Sequence, residues 1–103
     1  MRISVIGAGS FGTALAKLTA ENGHQVLIWS HSKDTADAIK NQRENTIYLK
    51  GITLPDSISV TTDFHEAAQH AEMIISATPT QAIRDVYSQD NRAAKINVPI
   101  VVA

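Results

Sequence analysis

Gly7, Gly9 and Gly12 stand in the order G-x-G-x-x-G near the start of the chain. The apolar run Ile3, Val5 and Ile6 precedes them. Phe11, Ala14, Leu15 and Leu18 follow at helical spacing. A strand, a glycine turn and a helix in that order bring backbone N–H groups and a helix N-terminus toward an anion. The chemistry this predicts is binding of a dinucleotide pyrophosphate. Gly7 lets the chain turn sharply as it leaves the strand. Gly9 keeps side-chain atoms away from the phosphates. Gly12 lets the helix approach the sheet closely.

A turn of this kind needs a parallel sheet to hold it. Apolar runs alternate with helical patterns along the chain, which predicts βαβ units. Strands are expected at Ile3–Ile6, Val26–Trp29, Ile58–Thr61, Met73–Ala77 and Val98–Val102. A first helix is expected from Ser10 to Asn22, with Gly23 as its cap glycine. Ser32 is a plausible N-cap for a second helix through Ala36 and Ile39 to Gln42. Thr62 or Asp63 caps a third, with Phe64, Ala67, Ala68 and Ala71 on one face. Pro79 opens a fourth, with Ile83, Val86 and Tyr87 on its apolar side. Asn45 to Pro55 has mixed patterning and reads as a loop.

In NAD-binding sheets an acid about 20 residues past the glycine turn holds the ribose hydroxyls. Here the second strand runs into Trp29-Ser30-His31-Ser32-Lys33, and the first acid is Asp34. His31 and Lys33 can face a 2′-phosphate, and Ser30 or Ser32 can hydrogen-bond one. This tilts the expectation toward NADP, or toward tolerance of both NADP and NAD. Ser76-Ala77-Thr78-Pro79-Thr80 follows the fourth strand, which should lie beside the first. Its loop then flanks the pyrophosphate, with Pro79 stiffening it.

Composition narrows the classes. The chain has 103 residues, 44 % of them hydrophobic, a formal net charge of −1 and no cysteine. That is one domain or part of one. The charge argues against general attraction to nucleic acid or an anionic membrane. Disulfides and thiolate metal sites are excluded, and no run approaches the about 20 apolar residues of a membrane span. The expected setting is cytoplasmic. His65, His70, Glu66 and Glu72 lack a clean i, i+4 metal spacing, so no metal is expected. Lys40, Arg43 and Glu44 read as an exposed helix end. No catalytic acid, base or nucleophile is identified.

Longer motifs go further than the glycines. Ile6-Gly7-Ala8-Gly9-Ser10-Phe11-Gly12-Thr13-Ala14-Leu15-Ala16, then Asn22 to Val26, Leu27 to His31, Asn45 through Tyr48-Leu49 to Leu54-Pro55, and Ala77 to Arg84 resemble the N-terminal part of bacterial NAD(P)-dependent glycerol-3-phosphate dehydrogenase. The resemblance covers nearly the whole chain. It implies a Rossmann-type, doubly wound, mainly parallel sheet with helices on both faces, at residues 1–103. It implies reversible reduction of dihydroxyacetone phosphate to sn-glycerol 3-phosphate, which feeds glycerophospholipid synthesis. It places Ser10 and Phe11 at the cofactor, His31 at its adenosine end, and Tyr48 at a further cofactor contact.

In that family a Ser-Lys-Gly segment follows the fifth strand, and a helical C-terminal domain binds substrate. Both are expected to be missing from this chain, and Lys95 is no substitute for the lysine. The chain alone is therefore expected to hold cofactor without turnover. An apolar last strand left at an edge is open to self-pairing as a homodimer. Two other readings fit the glycine turn. One is an oxidoreductase for another ketone or 2-hydroxy acid, which the Asn45–Pro55 stretch argues against. The other is a dinucleotide-binding module without catalysis.

Overall fold

Five short strands, each rich in apolar and β-branched residues, form one parallel sheet in the order β3-β2-β1-β4-β5. They are β1 (Arg2–Ile6), β2 (Gln25–Trp29), β3 (Ile58–Thr61), β4 (Met73–Ser76) and β5 (Ile100–Val102). The helices are α1 (Ser10–Glu21), α2 (Lys33–Gln42) and α3 (Phe64–His70). The computed structural model describes residues 1–77 and 100–102. The expected helix after Pro79, and the first residues of the expected fifth strand, lie outside them.

Both faces of the sheet are covered, as a parallel sheet requires. Ile3, Val5, Val26, Ile28 and Ile58 share one core with Ala16 and Ala20 of α1 and Ile39 of α2. Ile6, Leu27, Trp29 and Ile74 point the other way and pack with Phe64 and Ala67 of α3. The alternation along each strand thus sorts the apolar residues into two layers. Trp29 meets Phe64 edge-on, with ring centroids 5.9 Å apart. Ser4 is fully buried in the α3 layer. Its hydroxyl donates to the Ala67 carbonyl at 2.6 Å, so its burial leaves no orphaned group there.

Local chemistry ends the helices where the sequence predicts. Gly23 takes φ +94° just past α1, and its N–H donates to the Ala20 carbonyl. Ser32 caps α2, and Asp63 rather than Thr62 caps α3. Asp63 accepts from the His65 N–H at 2.9 Å. The strands end together at the carboxyl edge of the sheet. There Ile6 pairs with Trp29 and with Ser76, and Trp29 pairs with Thr61. One more backbone bond follows each pairing: Gly7 N–H to the Trp29 carbonyl, Ala77 N–H to Ile6, and Ser30 N–H to Thr61. These bonds hold the first residues of three loops level with one another.

At the opposite edge, the Arg2 N–H donates to the Glu72 carboxylate at 3.0 Å. That bond, chiefly, holds Glu72 below its ordinary pKa of 4.5. A lowered carboxyl pKa stabilises the fold above the unfolded value and loses that effect as pH falls through the folded one. Glu72→Gln is therefore expected to lower the melting temperature slightly at pH 7. Melting curves of both proteins should converge in acid below 4.5. A gap that persists unchanged in acid would remove this role.

Candidate functional site

The first and fourth strands are adjacent, and the chain leaves them toward opposite sides of the sheet order. That is the switch point where open α/β sheets place their ligands. The glycine turn sits at this point. Gly7 has φ +118°, a conformation open to glycine and strained for other residues. Gly9 is the N-cap of α1 with extended backbone, and a Cβ added to it would meet no atom within 4 Å. Gly12 is the reverse case. Its added Cβ would lie 2.1 Å from the Gly7 carbonyl oxygen and 3.3 Å from the Ala77 Cβ.

The three glycines therefore have three distinct surroundings. Gly7 makes the turn, Gly9 leaves space in front of it, and Gly12 seats α1 behind it. Among the described residues no side chain caps α1, and its first turn carries no acidic residue. Its leading N–H groups thus face outward without a competing side-chain acceptor or a repelling carboxylate.

A cleft of about 330 Å³ opens in front of the turn. Gly7, Ala8, Gly9, Ser30, His31, Tyr48 and Ala77 are among its lining residues. None of the described residues lining it is acidic. Of the residues predicted from sequence, the fold brings Gly7, Gly9, His31 and Tyr48 together at this cleft. Ser10, Phe11 and Gly12 follow on α1 and do not line it. Phe11 is well exposed on the first turn. Pro79, Thr78 and Thr80 lie outside the described residues, directly beyond Ala77.

His31 stacks on Trp29 with ring centroids 6.1 Å apart. It stands between the cleft and a second groove of about 600 Å³ lined by Lys33, Lys40, Thr61, Thr62 and Glu66. Lys33 therefore reaches the neighbouring groove and not the cleft itself. Ser30 is buried. Its hydroxyl donates to the Ser32 carbonyl at 2.9 Å and accepts from the Ser32 N–H, so its proton has a partner inside the turn. Ser32 caps α2, its hydroxyl oxygen accepting from the Thr35 N–H.

The loop from Asn45 to Pro55 is folded back onto the glycine turn. Its base is closed by Arg43, which takes the left-handed conformation at φ +55°. The Arg43 guanidinium donates to the carbonyls of Pro55 and Ile58, and its own carbonyl accepts from the Leu54 N–H. Arg43 is thus half-buried and structural, correcting the expectation of an exposed helix end. Leu54 drops into the core beside Ile39 and Ile58.

The loop's far side reaches α1. The Ser10 hydroxyl donates to the Tyr48 carbonyl at 2.6 Å. Asn45 is fully buried. Its side-chain amide donates to the Ala8 carbonyl at 2.7 Å and to the Thr13 hydroxyl at 2.8 Å. Its oxygen accepts from the Tyr48 N–H at 3.1 Å. Sequence reading named Asn45 as the start of a loop and of a motif shared with the family, and gave its side chain no role. The available signal was local: an Asn placed to accept from a backbone N–H a few residues on, as turn-forming Asn does.

Among the described residues there is no group of three metal-ligating side chains, and no helix is long and apolar enough to cross a membrane.

Comparison with known proteins agrees with this geometry. Residues 2–103 match the family model described as the N-terminus of NAD-dependent glycerol-3-phosphate dehydrogenase. A glycerol-3-phosphate dehydrogenase [NAD(P)+] of Bacillus pumilus is 44 % identical over 100 residues, 97 % of this chain and 29 % of the relative. Its counterpart in Myxococcus xanthus is 43 % identical over 98 % of this chain and 30 % of its own length. The crystal structure of glycerol-3-phosphate dehydrogenase from Coxiella burnetii superposes with a TM-score of 0.88 at 27 % identity. That match covers 99 % of this chain and 31 % of the other. The chain spans under a third of the length of these three relatives. With a family match over almost every residue, and the glycine turn and sheet order in place, the chain belongs to the N-terminal family of NAD-dependent glycerol-3-phosphate dehydrogenases.

Proposed function

We propose that this chain is the cofactor-holding part of an enzyme that reduces dihydroxyacetone phosphate to sn-glycerol 3-phosphate with NADPH or NADH. The observation that carries this is the open space in front of Gly9, at an α1 N-terminus with no acid in its first turn and no cap among the described side chains. The residues fit a pyrophosphate there. Gly7 and Gly9 shape the cradle, and Gly12 sets α1 behind it. Ser10 and Phe11 contribute backbone N–H groups at the start of the helix, since the Ser10 hydroxyl is engaged by Tyr48. His31 lies along the adenosine end and Tyr48 closes the near wall.

When bound, the nicotinamide supplies the hydride. This chain's residues bind the cofactor, orient it and fix its phosphates. On this reading a further part of the enzyme places the substrate carbonyl, as hydride transfer needs both partners in near-attack geometry. The protein works in the cytoplasm on this reading.

The absence of an acid among the described lining residues of the cleft, and the presence of His31, favour NADPH over NADH. Calorimetric titration with each is expected to give the tighter binding with NADPH. Equal or tighter binding of NADH would remove that preference. With dihydroxyacetone phosphate and NADPH, the 103-residue chain is expected to show no loss of nicotinamide absorbance. Measurable turnover would overturn the division of labour.

A further inference from the structure

Asn45 joins three parts of the site from a position without solvent contact. Resting on the cofactor reading above, we propose that Asn45 is a positioning residue that aims the phosphate-binding turn. The argument begins with the Ala8–Gly9 peptide. In a trans peptide the C=O and N–H point in opposite directions across one plane. All peptide bonds described here are trans. Asn45 holds the Ala8 carbonyl from behind the turn at 2.7 Å. The Gly9 N–H is thereby turned away from Asn45, toward the side where Gly9 lines the cleft.

The second amide hydrogen of Asn45 holds Thr13, one turn along α1, at 2.8 Å. The Thr13 N–H in turn donates to the Gly9 carbonyl at 3.0 Å. The peptides on both sides of Gly9 are therefore referenced to one side chain. The oxygen of Asn45 holds the Tyr48 N–H, while the Tyr48 carbonyl is held by Ser10. Asn45 thus sets the near wall of the cleft and the direction of its donor together. An amide is the group the position needs. It offers two donors and an acceptor, whereas a carboxylate would face the Ala8 carbonyl with oxygen against oxygen.

A merely structural Asn45 would affect stability alone. The test uses the 103-residue protein, with NADPH, ADP and adenosine titrated into Asn45→Ala and Thr13→Val well below each melting temperature. Thr13→Val removes one bond of Asn45 and leaves its hold on Ala8. Both variants are expected to melt earlier than the wild type. Asn45→Ala is expected to lose about ten-fold or more in affinity for NADPH and ADP, which carry the pyrophosphate, and little for adenosine, which lacks it. Thr13→Val, which keeps the Asn45 bond to Ala8 and the backbone bond to Gly9, is expected to lose clearly less affinity for NADPH and ADP than Asn45→Ala does. Where Asn45→Ala does not fold, Asn45→Ser carries the same comparison. Unchanged NADPH and ADP binding in the Asn45 variant, or an equal loss for adenosine, would overturn the positioning role alone. A folded wild type that binds neither NADPH nor ADP would overturn the cofactor reading and the proposal with it.

Discussion

Gly12→Ala is expected to unfold the domain or to leave it barely stable. The new methyl carbon would sit 2.1 Å from the Gly7 carbonyl oxygen. That neighbour is backbone in the turn itself, held by the Gly7 N–H bond to Trp29. It cannot swing aside as the end of a side chain would. On the other side the Ala77 Cβ is already 3.3 Å away. Relief requires moving α1 off the sheet and losing contact between Ala16 and Ala20 and the β1–β2 core. Overpacking of a well-filled core costs about 1–3 kcal/mol, and a backbone clash belongs at or beyond the top of that range. A domain of this size holds only about 5–15 kcal/mol in total. Thermal melting should show a fall of ~15 °C or more, or no cooperative transition. A melting temperature near that of the wild type would show that α1 is not seated against the turn as described.

Gly9→Ala, three residues earlier, should do the opposite. No atom lies within 4 Å of the added Cβ, and the extended backbone at φ −74° is open to any residue. Losing a favoured N-cap residue destabilises by up to about 1 kcal/mol. Restricting the unfolded chain stabilises by about 0.4–1 kcal/mol. The two nearly cancel, so the melting temperature should hardly move. Cofactor affinity is expected to fall by about ten-fold or more, ~1.4 kcal/mol, because the methyl group occupies the space left for phosphate. Calorimetry with NADPH on the folded variant measures this. A stable Gly9→Ala that binds as the wild type does would place the phosphates elsewhere.

This contrast between neighbouring glycines marks what was legible in the sequence. The turn, the strands and the helix caps were readable because each depends on local rules. Ile3, Val5 and Ile6 leave little choice but a buried strand, and Gly23 needs its positive φ at a helix end. The adjacency of β1 and β4 followed from βαβ topology. The missing acid after Trp29 was also plain, and the cleft has none among its described lining residues.

What was not legible depends on contacts across the chain. Asn45 and Ala8 are 37 residues apart, and nothing in the polar pattern of the loop says that Asn45 is buried. Arg43 looked like a charge at a helix end. Its left-handed backbone and its hold on Pro55 and Ile58 appear only once the loop returns to β3. Ser30 looked like a phosphate donor, yet its proton serves the turn that precedes α2. In each case the residue type allowed two roles, and packing chose between them.

The central claim is that the glycine turn of this chain holds a dinucleotide. Its only tryptophan, Trp29, reports on it directly. The Trp29 ring stacks on His31, which lines the cleft. NADPH should be titrated into the wild-type protein and into Gly9→Ala while Trp29 emission is followed. The account predicts saturable quenching at one NADPH per chain in the wild type, with the curve moved to much higher concentration in the variant at unchanged melting temperature. No saturable quenching and no heat of binding in a folded wild type, or identical curves for the two proteins, would contradict it.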